Sequence, residues 1–411
     1  MNYKRLLIFT DGFLNDGTGS GVTLYNLFKG WDKNKLSVFS AAYDKSNNGL
    51  LFPNRCFEGN LNQDKVTKKD KNFSLKILIK NIFNAPWLRP YLTPIAPVRI
   101  SNKSLQDINT YRPEIVYAPV SDIYSIRRLL KLLSLNKDIK VYTVFFDDLI
   151  DRYDSVNFSY IYKRVHFFYL KKIISISQKT FVCSEAMRIE YEQIFNAEFH
   201  VVSNPVDLNL VKKYRVKKIN NLNFNVVYAG TVNSKNINNL KLMSATIKKL
   251  NEDGIKINFD LYTFGAKLDL LKKSISSNHN NTRIFKAPND DHDLFKILGN
   301  ANILYLPMDF SQESIKSIRL SYLTKQPLYM SIGVPMIVHG PEEIHVVRHA
   351  KENNYAEVIS INSFEHIYNS VKNHFYNYDS FLTSTQNGIK YATEKHNIIL
   401  VQKWLYKNLL S

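Results

Sequence analysis

Short apolar runs alternate with longer helical stretches along most of the chain, and that alternation leaves few folds open. Leu6–Thr10 is a continuous apolar run that leads into a glycine-rich turn, and residues 22–30 follow with helical spacing. Residues 114–118, 141–146 and 180–183 repeat the strand pattern, with helical spacing over 121–133 and 157–174 between them. Runs without polar alternation suit strands covered on both faces, as in parallel sheets flanked by helices. A second series follows: Phe224–Ala229 as a strand, 235–250 as a helix, Ile257–Thr263 and 303–306 as strands, then a helical stretch near 379–409. The VVSNPVD segment at 201–207 separates the two series, and its Asn-Pro step predicts a turn and a hinge. Periodicity therefore predicts two α/β domains, and 411 residues is enough chain for them.

Composition narrows the partners more than the fold. With 45% hydrophobic and 22% charged residues the chain is globular rather than disordered. The net charge of +19 is spread over both halves and suits anionic partners: nucleotide diphosphates, polyprenyl-diphosphate lipids or an anionic membrane face. No DNA- or RNA-binding signature accompanies it, so nucleic acid is not expected. The two cysteines, Cys56 and Cys183, give neither a disulfide framework nor a zinc pattern and fit a reducing cytosol. The first apolar run, residues 6–9, is too short for a signal peptide, and no run of about 18 apolar residues predicts a membrane-spanning helix.

The densest motif is SIRLSYLTKQPLYMSIGVPMIVHGPE at 317–342, which reads as loop, short helix, glycine turn, buried strand and second turn. Ser321, Thr324 and Lys325 fall at the helix start, where unpaired N–H groups and the positive end of the macrodipole favour an anion. A lysine and two hydroxyls there suit a diphosphate. Any α/β protein has such a unit, and spacing alone does not separate a ligand lysine from a solvated one. Arg319, just upstream, can pair bidentately with phosphate. In YAGTVNSKN at 228–236, the backbone of Gly230 and Thr231 with Lys235 at the next helix start forms a second phosphate candidate.

Other constellations are weaker. DGTGSG at 16–21 places Gly19, Ser20 and Gly21 directly before a helix. Its spacing is neither a Walker loop nor a dinucleotide fingerprint, and a flexible turn is the plainer reading. Asp147 and Asp148 end a strand at the ligand edge of the sheet, or else cap a helix. His345 and His349, with Glu342 and Glu343 upstream, lack the H-E-x-x-H order, and a polar helix surface is expected instead of a metal. YIYKRVHFFYLKK at 160–172 mixes aromatics with cations; a core stripe with basic flanks is favoured over a membrane face. Lys65, Lys68, Lys69, Lys71, Lys76 and Lys80, followed by Trp87 and Leu88, are the preferred membrane contact.

The 317–342 segment resembles the nucleotide-sugar-binding segment of retaining glycosyltransferases with the GT-B fold, in particular the family 4-like enzymes of bacterial surface polysaccharide biosynthesis. Ser321, Thr324, Lys325, Tyr329, Gly333 and Pro335 fill places of that pattern. Leu320 and Leu328 stand where the family carries paired glutamates, so the family's usual carboxylate ligand for the donor ribose is absent at these positions. Thr23, Asn26 and Leu27 after the first glycine loop, the Y-x-G of 228–230, the L-P-x-x-F of 306–310, and Ser184, Met187 and Tyr191 are similar to further family segments. The last three are expected to pack and cap rather than react.

The resemblance implies two Rossmann-like domains facing across a cleft, residues 1–205 and 206–385, with a long C-terminal helix, 386–411, crossing back to the first. It implies transfer of a hexosyl-type sugar, with retention, from a nucleotide-diphosphate sugar to a saccharide or polyprenyl-diphosphate-linked acceptor. Lys325 and Arg319 would stabilise the departing diphosphate; Asp147 or Asp148 would position sugar or acceptor. Gly19, Ser20, Gly21, Gly230, Thr231, Lys235, Ser321, Thr324 and Tyr329 would bind the donor, with Glu342 or Glu343 replacing the ribose carboxylate missing at Leu328. No metal and no cofactor beyond the co-substrate is expected, and the implied location is cytoplasmic, peripheral at the inner face of the cell membrane. A non-catalytic binding or partner subunit, or a sugar-nucleotide epimerase, on the same fold are the alternatives.

Overall fold

The structure is a computed structural model that describes residues 2–10, 19–40, 54–57, 98, 100–150, 160–215, 224–263, 271, 274–275, 280–288 and 290–411. Residues 16–18 of the first glycine loop and the lysine-rich stretch 65–80 with Trp87 and Leu88 lie outside the described residues. The chain packs as two compact units, Met1–Val202 with Trp404–Ser411, and Ser203–Lys403.

In the first unit, β1 (Leu6–Thr10), β2 (Leu36–Ser40), β3 (Asn54–Phe57), β4 (Ile115–Pro119), β5 (Lys140–Phe145), β6 (Lys179–Val182) and β7 (Phe199–Val201) form a seven-stranded sheet. The spatial order is β3-β2-β1-β4-β5-β6-β7, and every pairing is parallel. Its helices among the described residues are α1 (Gly19–Phe28), α2 (Asn102–Tyr111), α3 (Ile123–Leu135), α4 (Tyr160–Ile176) and α5 (Glu185–Phe195). Every residue of β1 and β2 is buried, as strands covered on both faces require. Local chemistry sets the helix starts. Asp122 and Ser125 make a reciprocal capping box on α3, and Ser184 Oγ accepts from Met187 N at 3.1 Å to cap α5. Met187 and Tyr191 are fully buried, so this segment packs and caps as its sequence predicts. The chain end belongs to this core: Tyr406 lies 4.9 Å from Trp31 between ring centroids and donates to Leu27 O at 2.9 Å.

In the second unit, β8 (Phe224–Ala229), β9 (Ile257–Thr263), β10 (Thr282–Lys286), β11 (Ile303–Pro307), β12 (Met336–His339) and β13 (Glu357–Ile359) form a six-stranded parallel sheet ordered β10-β9-β8-β11-β12-β13. The helices among the described residues are α6 (Leu208–Val211), α7 (Ile237–Glu252), α8 (Asp291–Gly299), α9 (Gln312–Ile318), α10 (Lys325–Ile332), α11 (His345–Glu352), α12 (Phe364–Tyr376), α13 (Leu382–Lys395) and the first part of α14 (Ile398–Leu410). The core gathers Tyr228, Leu240, Met243, Phe259, Tyr305 and Ile367. Strand order reverses between β8 and β11, so the carboxyl ends of these two strands, at Ala229 and Pro307, mark the switch point where open α/β sheets hold ligands.

Two expectations need adjustment. The single terminal helix is two, because His396 O accepts from Val206 N at 2.7 Å and Val206 O accepts from Ile398 N at 3.0 Å, which draws the backbone out of helical geometry. Of α14, residues 398–403 belong to the second unit and 404–410 to the first. The division between units falls after Val202, three residues before the expected boundary.

Candidate functional site

The C-terminal end of β8 is built around one tyrosine and one lysine. Tyr228 is fully buried; its hydroxyl donates to Thr231 O at 2.7 Å and accepts from Asn236 Nδ2 at 3.0 Å. Lys325, the first residue of α10, donates from Nζ to the same oxygen at 2.9 Å and stands 4.1 Å from the centroid of the Tyr228 ring. Gly230 makes room for this approach: a Cβ there would fall 2.3 Å from Lys325 Nζ. Its φ of +154° is one that L side chains rarely adopt. Lys325 is partly exposed, yet the surroundings of its ammonium desolvate it and lower its pKa to about 7. Burial pushes the Tyr228 phenol well above its ordinary value, so it meets the ammonium as a neutral group. Of the three ammonium donors, Tyr228 takes one, which leaves two for an anion.

Tyr329, one helical turn after Lys325, locks α10 to β8. Its hydroxyl accepts from Ala229 N at 2.8 Å and donates to Ala229 O at 3.2 Å. Thr324 precedes α10 without making a side-chain capping bond, so the helix start keeps donors for a ligand. Ser321 is 5% exposed, and its Oγ has no hydrogen-bond partner among the described residues, an unusual condition for a buried hydroxyl. Gly333, at φ +84°, closes the helix in the left-handed conformation.

The end of β11 is tied to the start of α7. Asp309 N donates to Lys235 O at 2.7 Å. The Asp309 carboxylate accepts from Asn238 Nδ2 and from Ser311 N, both at 2.8 Å. Beneath them, His339 Nδ1 pairs with Tyr305 OH at 2.6 Å and with Asn239 Nδ2 at 3.0 Å. Sequence reasoning gave Tyr228, Asn236 and Asp309 no role; the tyrosine two residues before the loop glycine was the only available signal.

The structure thus gathers Thr231, Lys325 and Tyr329 through hydrogen bonds to Tyr228 and Ala229, with Gly230 closely approached by the Lys325 ammonium and Thr324 adjoining. Lys235 precedes α7 and Arg319 follows α9, where its carbonyl accepts from His345 N at 2.7 Å. Glu342 is directed elsewhere: its carboxylate pairs with Lys351 Nζ at 2.6 Å and accepts from Ser360 Oγ at 3.2 Å, and Lys351 holds it below the ordinary carboxylate range. Glu343 is exposed, and its carbonyl accepts from Arg348. The expected polar helix surface at His345 and His349 is wrong. Both are buried beside Tyr322, Tyr355, Tyr391 and His396, because α11 turns them toward α13 and the 321–324 loop. Among the described residues no three His, Cys, Asp or Glu side chains could hold a metal ion.

In the first unit, Gly19 and Ser20 are exposed at the start of α1 and Gly21 is buried. The acidic pair divides. Asp148 is fully buried, accepting from Ile150 N at 2.9 Å and Tyr191 OH at 3.1 Å, and so holds the turn after β5. Asp147 is exposed.

No family model matches the sequence, and no curated protein does. Solved structures do. A sucrose-phosphate synthase from Thermosynechococcus elongatus superimposes with a TM-score of 0.65 over 99% of both chains at 12% identity. HepE of Anabaena, in complex with UDP and glucose, gives 0.64 over 98% of this chain and 99% of that one at 11% identity. A glycosyltransferase of Rickettsia africae gives 0.61 over 99% of both at 11% identity. At such identities the likeness is one of fold, and it defines the class: an α/β chain of two Rossmann-like units with the GT-B fold.

Proposed function

We propose that the chain is a glycosyltransferase that binds a nucleotide-diphosphate sugar at the β8–α10 end of its second unit. The carrying observation is the desolvated Lys325 ammonium, 2.9 Å from Tyr228 Oη beside a glycine that leaves no Cβ in its way. Two remaining ammonium donors, the start of α10 and the buried, unpartnered Ser321 hydroxyl match the oxygens of a diphosphate. HepE, of the same fold, is complexed with UDP-glucose. Lys325, with Arg319 nearby in sequence, stabilises charge on the departing diphosphate, and the donor phosphate takes the acceptor proton, so transfer proceeds with retention and without a metal. Of the two expected carboxylates, Asp147 is exposed and is the one offered to sugar or acceptor, whereas Asp148 is spent on the turn after β5. A saccharide or polyprenyl-diphosphate acceptor, a place in surface polysaccharide synthesis and peripheral attachment at the inner membrane face complete the reading.

A second reading has its own observation. Leu320 is buried in the core and Leu328 is a leucine, so neither supplies a ribose carboxylate, and a protein that binds without transferring fits that loss. Nucleotide release from UDP- and GDP-sugars, with and without polyprenyl-linked acceptor, separates the two. Acceptor-stimulated release is expected; binding without release in every combination would contradict transfer.

A further inference from the structure

The helix α4 of the first unit has two faces, and only one of them serves the core. Tyr162, His166, Leu170, Ile173 and Ile174 are buried and form the inner stripe. The outer stripe runs Tyr160, Arg164, Phe168, Lys171, Lys172 and Ile176. Tyr160 is 73% exposed, Phe168 59% and Ile176 40%. Tyr160 and Phe168 lie about 12 Å apart along the helix axis and about 80° apart around it, on the side that also carries Arg164, Lys171 and Lys172, whereas Ile176 sits on the flank of that side. The cations fill the intervals, and the helix YIYKRVHFFYLKKIISI carries no acid. Arg164 lies 5.7 Å from the Tyr160 ring centroid, so cation and aromatic present themselves together. The neighbouring helix α3 adds Leu135, 58% exposed, at its last residue. Helices α3 and α4 lead into the parallel strands β5 and β6, so Leu135 and Ile176 lie at the same edge of the sheet.

We infer that this outer face of α4 is a docking surface for an anionic lipid bilayer. It deepens the peripheral attachment proposed above by naming the surface that makes it. Lipid phosphates pair with Arg164, Lys171 and Lys172, while the rings of Tyr160 and Phe168 settle at the headgroup level. The chemistry favours a bilayer over the other occupants of such a face. A second copy would bring the same cations against these, and like charges repel. A nucleic acid would use the cations but has no use for an exposed isoleucine and leucine. The expected core stripe is present in Tyr162, His166 and Leu170, and the docking surface is the basic, aromatic flank opposite it.

The test compares two charge-matched variants on vesicles of phosphatidylglycerol and phosphatidylcholine, against phosphatidylcholine alone. One is Arg164→Glu/Lys171→Glu/Lys172→Glu; the control is Lys256→Glu/Lys316→Glu/Lys390→Glu, three exposed lysines of the second unit. All six positions are solvent-facing or nearly so, and unchanged circular-dichroism melts verify that both fold. The expected result is a loss of about 100-fold in vesicle affinity for the helix variant, at about fivefold per cation, and less than a tenth of that loss for the control. Tyr160→Ser/Phe168→Ser is expected to weaken binding on the same vesicles by about tenfold. If wild type floats with anionic vesicles but the helix variant matches the control, attachment stands and this surface is wrong. If wild type ignores anionic vesicles, attachment and surface both fall. An RNA oligomer, or dimer formation, lost in the helix variant without any vesicle binding would assign the face to another partner.

Discussion

At the residue scale, Lys325 is poised by its neighbours rather than by its own type. Burial lowers its pKa to about 7, so near neutrality a fraction of the chains carry an uncharged amine there. An anionic ligand requires the ammonium, so nucleotide-sugar affinity is expected to fall as pH rises from 6.5 to 8.5, while Lys325→Met shows no such dependence. A flat profile in wild type, measured calorimetrically, would remove the lysine from the anion site. The same depression has a stability consequence. Between about pH 7 and 10.5 the unfolded chain holds a proton that the folded one releases, so this group favours folding increasingly as pH rises through that window. Tyr228→Phe keeps the ring but removes the acceptor of the charged form, which is expected to move the break in the affinity profile to lower pH. Gly230→Ala places a methyl where the ammonium sits. The obstructed atom is the end of a flexible side chain, so Lys325 yields and binding drops, while the backbone φ of +154° adds a separate loss of melting temperature.

At the scale of elements, α10 is the part that the sequence exposes best and explains least. Its start at Lys325, its glycine stop and the strand after it follow from spacing and turn chemistry. Gly333→Ala tests the stop: a Cβ there would meet Arg215 at 3.5 Å, an ordinary contact, so only the left-handed backbone is penalised. A loss of about 1–2 kcal/mol is expected in denaturant unfolding, and no loss would mean that the helix ends by other means. Strands buried on both faces, such as β1, β8 and β9, were legible as unbroken apolar runs. The edge strands β10 and β13 were not. Thr282–Lys286 exposes Arg283, Phe285 and Lys286, and Glu357–Ile359 has only three residues, so neither shows a continuous apolar signal. The site was half legible for a related reason. Lys325 and Gly230 stand at turns, whereas the hydrogen bond that holds the lysine against the glycine goes to Tyr228, which reads as one more core aromatic. His345 and His349 misled in the opposite way, since charge-bearing residue types concealed a buried His–Tyr cluster.

At the scale of the whole molecule, four buried histidines set the acid limit. Desolvation holds His166, His339 and His396 at about 4 and His349 at about 3, below the ordinary 6.5. Between 6.5 and those values the unfolded chain binds protons that the folded chain refuses, so stability falls with pH across that window and no further below it. Each pH unit costs up to about 1.4 kcal/mol per histidine. Three of the four lie in the second unit, which is expected to melt first as pH drops from 7.5 to 5. Scanning calorimetry with a constant melting profile over that range would contradict the burial assigned to them. The GT-B fold accounts for the two sheets and their switch points, but the nucleotide-sugar claim rests on one end of one sheet. Calorimetric titration of UDP- and GDP-sugars into wild type and Lys325→Ala at pH 6.5 tests it most directly. Saturable binding of at least one donor by wild type, weakened about 30-fold (about 2 kcal/mol) in a variant that melts normally, is the predicted result. Equal affinity in the two proteins, or no nucleotide sugar bound by wild type, would contradict it.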